Sequence, residues 1–309
     1  MKLSTVVLTY NQEHSVRQTL DSILSQQHPY SMEIVIADDA STDHTPHIIS
    51  EYASKYPEIV KPVLRQHNLG LIRNYFDAIS RCTGEYIAIC AGDDYWLPGK
   101  IITQISYMDS HPDCAFTYGN ALVKNQSSHR YNEIIKGMKD NSFYEFMTAN
   151  HIAAVTTCFR KSIMTKYINA IKPVEKNWLM EDFPFILWVS LYHSIDWIDQ
   201  NFAVYCIKEE SLSRSHNRDR QSDFQKNDYM IREFFLSQAI TKPYYDKAYY
   251  NLYCSQRTIN LDSNGINKLP IKLLKLCLSK TPIKLKIKTL LLSKFPALYN
   301  TITNIKTHL

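Results

Sequence analysis

The sequence predicts an α/β fold, a mainly parallel sheet flanked by helices, followed by a C-terminal helical extension. Short β-branched runs alternate with segments of helical period over the first 120 residues, which is the pattern of βαβ units. Beyond about residue 228 the pattern is mainly helical. The 309 residues are 45% hydrophobic and 21% charged, a composition and length that suit a folded protein of one large domain or two.

The elements of the first half follow from the spacing of apolar residues. Val16, Leu20 and Ile23 recur at i, i+4 and i+7, which places one apolar face on a helix packed against the sheet. Strands are predicted at 3–8, 33–37, 60–64, 86–90 and 114–118. The helices between them are predicted around 16–24, from about 45, at 69–82 and from about 98. Between about 124 and 150 the pattern favours no element.

Domain organisation follows from a polar stretch at 211–228, which has the composition of a mobile loop. It predicts a first domain at 1–215 and a helical C-terminal region with a basic tail at 216–309. Residues 262–309 contain nine lysines and one acid, which gives this stretch a net charge of about +8. The net charge of the whole chain is +5, so residues 1–261 sum to about −3. Such a tail is a candidate for contact with anionic lipid headgroups. A helical cap with solvated lysines is an equal alternative.

The chain carries no pattern for export or membrane insertion. Its first residues lack an apolar core with a small-residue cleavage site, and no run approaches the ~20 apolar residues of a membrane span. Seven cysteines form no CxxC pair, which suits a reducing compartment. The sequence therefore predicts a cytoplasmic protein with possible peripheral contact at the inner face of the membrane. Nucleic acid is not an expected partner, because no binding module accompanies the basic tail.

Three polar turns follow predicted strands: 9–13 (TYNQE), 38–43 (DDASTD) and 92–96 (GDDYW). Ligands of open parallel sheets bind beyond the carboxyl ends of the strands, so these turns are expected to border one cleft. The chain has neither GxGxxG nor GxxxxGK[ST], which excludes a dinucleotide fingerprint and a P-loop. Acidic turns hold phosphates through a divalent cation, and Asp93 and Asp94 are candidates to bridge one. The alternative for an isolated acid pair is a solvated turn.

A second acidic motif lies at 178–184 (WLMEDFP), where Glu181 and Asp182 interrupt an apolar segment. Unpaired acids are costly in such surroundings. The functional interpretation is that Asp182 removes the proton from an acceptor hydroxyl as a general base. The structural alternative is a pair of acids that interacts favourably with the dipole at a helix N-terminus.

With HNLG at 67–70, these motifs occur in the order TYNQE, DDASTD, HNLG, GDDYW, and the sequence resembles family 2 glycosyltransferases over about 2–215. The resemblance implies the GT-A fold, a nucleotide-binding α/β domain with inverting chemistry. It implies that a nucleotide diphosphate sugar, the donor in the reaction, is contacted by Thr9, Tyr10, Asn11, Glu13, Asp39, Arg73 and Asp93. Asp39 would accept a hydrogen bond from the base, Asp94 would bind Mg²⁺ or Mn²⁺, and Asp182 would be the catalytic base.

The sequence departs from the family pattern in three places. Ala91 stands where a further acid is usual, and 205–208 (YCIK) replaces a Tyr-Arg-x-His stretch. His216 is a candidate substitute for that histidine. The Gln-x-x-Arg-Trp motif of processive synthases is absent, which favours one sugar per encounter.

The leading hypothesis is an enzyme that moves a sugar from a nucleotide diphosphate donor, by family preference UDP, to a glycan or lipid-linked acceptor. Cell-surface polysaccharide or lipopolysaccharide synthesis is the expected setting. A binding module of the same fold without turnover is the alternative, motivated by Ala91 and the missing histidine. Nucleotidyl transfer is disfavoured, because no Gly-rich basic loop opens the chain.

Overall fold

The computed structural model describes residues 1–125, 131–207 and 218–238. Within these ranges the strands are β1 (Leu3–Thr9), β2 (Met32–Asp38), β3 (Val60–Leu64), β4 (Tyr86–Ala91), β5 (Tyr95–Trp96), β6 (Cys114–Asn125), β7 (Tyr131–Ile135), β8 (Cys158–Arg160) and β9 (Ser194–Ile207). The α-helices are α1 (Val16–Leu24), α2 (Thr45–Lys55), α3 (Leu71–Arg81), α4 (Lys100–Ser110), α5 (Phe143–Thr148), α6 (Lys161–Ile171), α7 (Phe183–Tyr192) and α8 (Arg218–Gln238).

The described strands form one mixed sheet in the order β3-β2-β1-β4-β8-β6-β9-β5, with β7 paired to β6. The β3-β2-β1-β4 half is parallel. In the other half β8 is antiparallel to both β4 and β6, and β5 is antiparallel to β9, whereas β6 and β9 run parallel. The carboxyl ends of β1, β2 and β4 therefore lie along one edge of the sheet.

The apolar stripes predicted from the sequence are the faces that the helices bury. Val16, Leu20 and Ile23 of α1 have no exposed surface. Ile101 and Ile105 of α4 are equally inaccessible. These side chains join the strands in one hydrophobic core, and burial of each such side chain stabilises the fold by about 1.5–3 kcal/mol.

Helix α7 differs from the other helices because it is apolar on every side. Its residues 183–189 are all buried, as expected for a helix inside a core. It packs against α5, α6 and β9. At the N-terminus of α7 the N-cap residue Asp182 is half-buried.

The α/β fold class is confirmed, and the elements up to residue 118 lie close to their predicted bounds. The mainly parallel character holds only for the first half of the sheet, because β5, β7 and β8 pair antiparallel. The loop predicted for 211–228 is wrong from residue 218 onward, where α8 begins. Polar composition suggested a loop, but a helix with a largely solvated surface is also polar.

The chain divides into two compact units, Met1–Ile231 and Arg232–Leu309. The boundary predicted near residue 215 falls among residues 208–217, which lie outside the described ranges, and it stays a prediction. The basic tail and His216 lie outside them as well. None of the helices in the described part of the chain has the length and apolar character needed to span a membrane.

Candidate active site

The three polar turns meet at one edge of the sheet. Thr9 at the end of β1 pairs in register with Asp38 at the end of β2, and Leu8 pairs with Ala91 at the end of β4. The turn that follows β4 is held against β1 by a hydrogen bond from the Gly92 N–H to the Leu8 carbonyl, 2.9 Å. The predicted convergence of the turns is confirmed, and it defines the cleft.

The first two turns are joined by hydrogen bonds between side chains and backbone. The Thr9 hydroxyl donates to Asp38 Oδ1 at 2.9 Å. The Asn11 side-chain Oδ1 accepts the Thr42 N–H at 2.9 Å, and Glu13 Oε2 accepts the N–H of His44, directly after the second turn, at 2.9 Å. The predicted donor contacts Thr9, Asn11 and Glu13 therefore have structural partners already, which fix the shape of the cleft. Their contacts with a donor stay predictions.

Asp39 fastens the second turn to the loop before α3. Its Oδ1 accepts the Leu69 N–H at 2.7 Å and its Oδ2 accepts the Gly70 N–H at 2.9 Å. The Asn68 amide donates to the Asp39 carbonyl at 3.0 Å. Asp39 is buried, with 5% of its surface exposed. The predicted hydrogen bond to a nucleobase would add to this arrangement, because each carboxylate oxygen has a second lone pair.

Two other predicted donor-binding side chains reach solvent at the same edge. Tyr10 is 50% exposed. Arg73, in the first turn of α3, is exposed, and it makes no hydrogen bond or ion pair with another residue that the structure describes. A solvated guanidinium beside a cleft is available to an anionic ligand, and guanidinium groups bind phosphate through paired N–H donors.

The acid pair of the third turn is divided between the interior and the cleft. Asp94 is 4% exposed, and its Oδ1 accepts the backbone N–H of Cys206 at 2.8 Å. Its carbonyl accepts the Thr19 hydroxyl at 2.7 Å, so the turn is held to both β9 and α1. Asp93 is only half-buried, which makes it the more accessible carboxylate of the two.

No group of three or more His, Cys, Asp or Glu side chains suited to a metal occurs in ranges 1–125, 131–207 and 218–238. Mg²⁺ commonly takes only one or two protein carboxylates, with water and substrate phosphate as its other ligands. A half-buried Asp93 beside Asp94 fits that requirement. The assignment of the metal to Asp94 stays a prediction.

Gly92, directly before the acid pair, allows the turn to pass close to the first turn. A Cβ at this position would overlap the Gln12 Oε1 atom and would lie 2.6 Å from Thr9 Cγ2. The Gln12 Oε1 atom is buried without a hydrogen-bond partner in the described residues. The sequence analysis did not single out Gln12, because its packing against Gly92 joins turns about 80 residues apart.

Glu181 and Asp182 line a small, mostly apolar pocket whose other walls include Ile89, Phe116 and Phe185. Ile89 lies on β4, the strand that ends at the acidic turn. No lysine, arginine or histidine of the described chain lines it. As the N-cap residue of α7, Asp182 accepts the Phe183 N–H at 2.7 Å.

The apolar walls set the electrostatics of this pair. Burial raises the pKa of Asp182. Burial also raises the pKa of Glu181 to about 8, with the negative charge of Asp182 as the second cause. Two interacting carboxyls titrate as a unit, so the raised proton affinity belongs to the pair. A raised carboxyl pKa suits a general base, because it brings proton affinity closer to the working pH.

Tyr75 and Thr157 also line this pocket, and the sequence analysis did not identify them. The signal for Tyr75 was present, because it lies at i+3 from Ile72 on the apolar face of α3 and brings a hydroxyl to that face. Thr157 gave no such signal. It reaches the pocket from the segment before β8, a stretch without a predicted element.

Known proteins share the fold of this chain or part of its sequence. S. aureus TarS, crystallised in complex with UDP, has the same fold with a TM-score of 0.64 at 18% identity, over 94% of this chain and 86% of that one. The chain is thus a GT-A-like α/β protein. An uncharacterized protein of Mycobacterium tuberculosis is 38% identical over 162 residues, 52% of this chain and 47% of that protein. The putative glycosyltransferase EpsE of Bacillus subtilis is 25% identical over 211 residues, covering 68% and 74% of the two chains.

The model of the family described as glycosyl transferase family 2 matches residues 4–168. The chain belongs to this family. The match contains the three polar turns and Arg73, and it ends before Glu181 and Asp182. The chain spans about half the length of the mycobacterial relatives that it matches.

Proposed function

We propose that this protein transfers a sugar from a nucleotide diphosphate donor to an acceptor hydroxyl, with inversion at the anomeric carbon. The observation that carries the proposal is that β4 ends at the cleft of hydrogen-bonded polar turns and also contributes Ile89 to the apolar pocket of the acid pair. Membership of the family supports it. TarS has been crystallised with UDP-GlcNAc, and a mannosyltransferase of Pyrobaculum calidifontis with GDP-Man and Mn²⁺.

In the proposed reaction Asp182 accepts the proton of the acceptor hydroxyl. The acceptor oxygen forms a bond to the anomeric carbon while the bond from that carbon to the nucleotide diphosphate breaks. Attack from the opposite face inverts the configuration in one displacement, and no covalent enzyme intermediate is needed. The apolar walls lower the local dielectric around Asp182, which strengthens its interaction with the proton of the acceptor hydroxyl.

The polar turns would hold the donor. Asp39 and the turn at 9–13 would border the nucleoside, and Arg73 would offset charge on the diphosphate. Asp93 and Asp94 would hold Mg²⁺ or Mn²⁺, which supplies electrostatic stabilisation for a departing diphosphate. UDP is the proposed nucleotide of the sugar donor. This choice agrees with TarS, crystallised with UDP, and with an Escherichia coli glucosyltransferase, WfgD, whose name specifies UDP-Glc.

The proposed setting is synthesis of a cell-surface polysaccharide or lipopolysaccharide on a glycan or lipid-linked acceptor. Relatives named for teichuronic acid and poly(ribitol-phosphate) glycosylation support this setting. A cytoplasmic location, with the tail on the inner face of the membrane, stays a prediction. Sedimentation with anionic and neutral vesicles, with and without residues 265–309, tests the membrane contact.

A binding module without turnover remains a second candidate, favoured by Ala91 in the position of a usual family acid. Both candidates predict that nucleotide diphosphate sugars raise the melting temperature of the protein, because a ligand of the native state stabilises it by mass action. A thermal-shift screen with and without Mn²⁺ therefore identifies the donor first.

The deciding experiment measures turnover of that donor. Donor hydrolysis or transfer by the wild type that is lost in both Asp182→Ala and Asp94→Ala supports the enzyme, and NMR of the product gives its anomeric configuration. Binding without turnover in the wild type supports the module. Turnover that persists in Asp182→Ala contradicts the assigned base.

A further inference from the structure

Tyr75 lies where a helix passes over the pocket of the acid pair. It is 2% exposed, and its ring meets the Phe76 ring edge-on at 5.0 Å between centroids. The side chain lines the same pocket as Glu181 and Asp182. A phenol is thus placed beside two carboxyls that have no cation among the described lining residues.

The hydroxyl of Tyr75 makes no hydrogen bond with another residue of the described chain. A hydroxyl that has no protein partner is usually satisfied by water in native structures. The pocket has about 10 Å³ of room for a water centre, which corresponds to roughly one water molecule.

The surroundings of the pocket offer the polar partners that one buried water requires. They are the Tyr75 hydroxyl, the two carboxyls, and the Thr157 oxygen, whose own proton is donated to the Ala154 carbonyl at 2.7 Å. Buried waters typically make about three hydrogen bonds. A water here would accept from Tyr75 and donate to a carboxylate.

We propose that Tyr75 is a positioning residue for Asp182, which it holds ionised and oriented toward the acceptor through one bound water. This inference rests on the proposed function for its catalytic consequence. Hydrogen bonds donated to a carboxylate favour its charged form, and in this pocket they oppose the effect of the apolar walls. The other lining groups from β4, β6 and β8, Ile89, Phe116 and Phe159, carry no charge.

Tyr167 provides a matched control. It is a second buried tyrosine of the same region, and its ring lies 5.2 Å from the Phe185 ring. Its hydroxyl is buried without a hydrogen-bond partner among the described residues, and it does not line the pocket. After burial, the charge of Asp182 is the second cause that raises the pKa of Tyr167, so Tyr167 is a tyrosine near the same acid whose hydroxyl does not enter the pocket. Removing the Tyr167 hydroxyl should leave the acid pair unchanged, whereas removing the Tyr75 hydroxyl should not.

The experiment compares Tyr75→Phe and Tyr167→Phe in the full chain, with the fold of each verified by circular dichroism. The pH dependence of kcat is the first readout. Tyr75→Phe is expected to move the acidic limb of the profile to higher pH, with about a tenfold loss of kcat at pH 7 that shrinks at high pH. Tyr167→Phe is expected to leave both unchanged. A uniform loss in Tyr75→Phe at every pH would show a structural role and overturn the inference.

The second readout does not need turnover. Titration of the side-chain carboxyls by ¹³C NMR gives the pKa values of Glu181 and Asp182 directly, with Glu181→Gln and Asp182→Asn used to assign the signals. Higher carboxyl pKa values in Tyr75→Phe than in the wild type support the inference, and unchanged values overturn it. An inactive wild type that still shows this shift would instead count against the proposed function alone.

Discussion

The acids of the cleft and the acids of the pocket are held in opposite ways. Asp38, Asp39 and Asp94 each accept hydrogen bonds from distant parts of the chain. Asp182 accepts one N–H from its own helix among the described residues, within apolar walls. Burial alone therefore does not distinguish the two regions, because the carboxylates of the cleft are more buried than Asp182.

The difference separates a structural acid from a reactive one. A carboxylate with several N–H or O–H donors is stabilised in its charged form, and it keeps the cleft preorganised for a ligand. A carboxyl with few donors in an apolar pocket retains a high affinity for a proton. Substitutions at four positions separate these roles, and the expected effect decreases from Asp182 through Asp39 and Arg73 to Glu181.

Replacing Asp182 should have the largest effect on catalysis. Asp182→Asn keeps a side chain that caps α7 well, but an amide cannot take up the proton of the acceptor hydroxyl. The value of kcat should therefore fall by about 10²- to 10⁴-fold, with little change in KM for the donor. Steady-state kinetics measures both. Asp113→Asn, at an exposed acid, is the control. An equal loss in both variants, or a loss confined to KM, would contradict the base assignment.

Replacing Asp39 should affect stability and donor binding together. Asp39→Ala leaves the N–H groups of Leu69 and Gly70 without their acceptors, which is expected to lower the free energy of unfolding by about 1–3 kcal/mol. The loop should also loosen, so the donor binds less tightly. Urea unfolding and donor titration measure the two effects, with Asp113→Ala as the control. A fully stable Asp39→Ala variant would show that the loop is held by other contacts.

Replacing Arg73 should affect the donor without affecting the fold. Its exposed side chain has no partner in the described chain, so stability should change by less than about 0.5 kcal/mol. Loss of a guanidinium that contacts the diphosphate should raise KM by about tenfold at low salt and by less at 1 M salt, where charges are screened. Lys166→Ala, at another exposed cation, should change neither. A salt-independent KM would remove Arg73 from the site.

Replacing Glu181 should change how stability depends on pH. Its folded pKa of about 8 lies above the ordinary glutamate value of 4.5, so between these pH values the folded state binds more protons than the unfolded state. Stability from this group is present at low pH and is lost as pH rises toward 8. The melting temperature of Glu181→Gln should therefore fall less between pH 5 and 8 than that of the wild type. Glu175→Gln, an exposed acid, is the control, and identical slopes in all three proteins would refute the burial effect.

Much of the fold could be predicted because its first half is built from local patterns. The strand at 60–64 coincides with β3, and the strands predicted at 33–37 and 86–90 lie within β2 and β4. Two-residue and 3.6-residue periodicities report which face of a segment is buried, and each is contained within one segment. β5 and β9 gave no comparable signal, because a two-residue strand has no period and β9 alternates between buried and exposed stretches.

The candidate site was predictable in position but not in chemistry. Thr9, Asp39 and Asp93 lie at strand ends, and parallel strands bring such ends to one edge. Whether a carboxylate there accepts hydrogen bonds from the protein depends on segments far away in sequence. Asp94 is bound by Cys206, 112 residues later, and no local pattern contains that contact.

The α/β class, the polar turns at the strand ends and the identity of the acids depend on residue type and short-range spacing, so the amino-acid sequence is enough to define them. Tertiary contacts are needed to know which acids are held by hydrogen bonds and which lie in an apolar pocket with Tyr75. The ionisation of a carboxyl is set by the donors and the dielectric around it, and both come from chain segments that meet only when the protein folds.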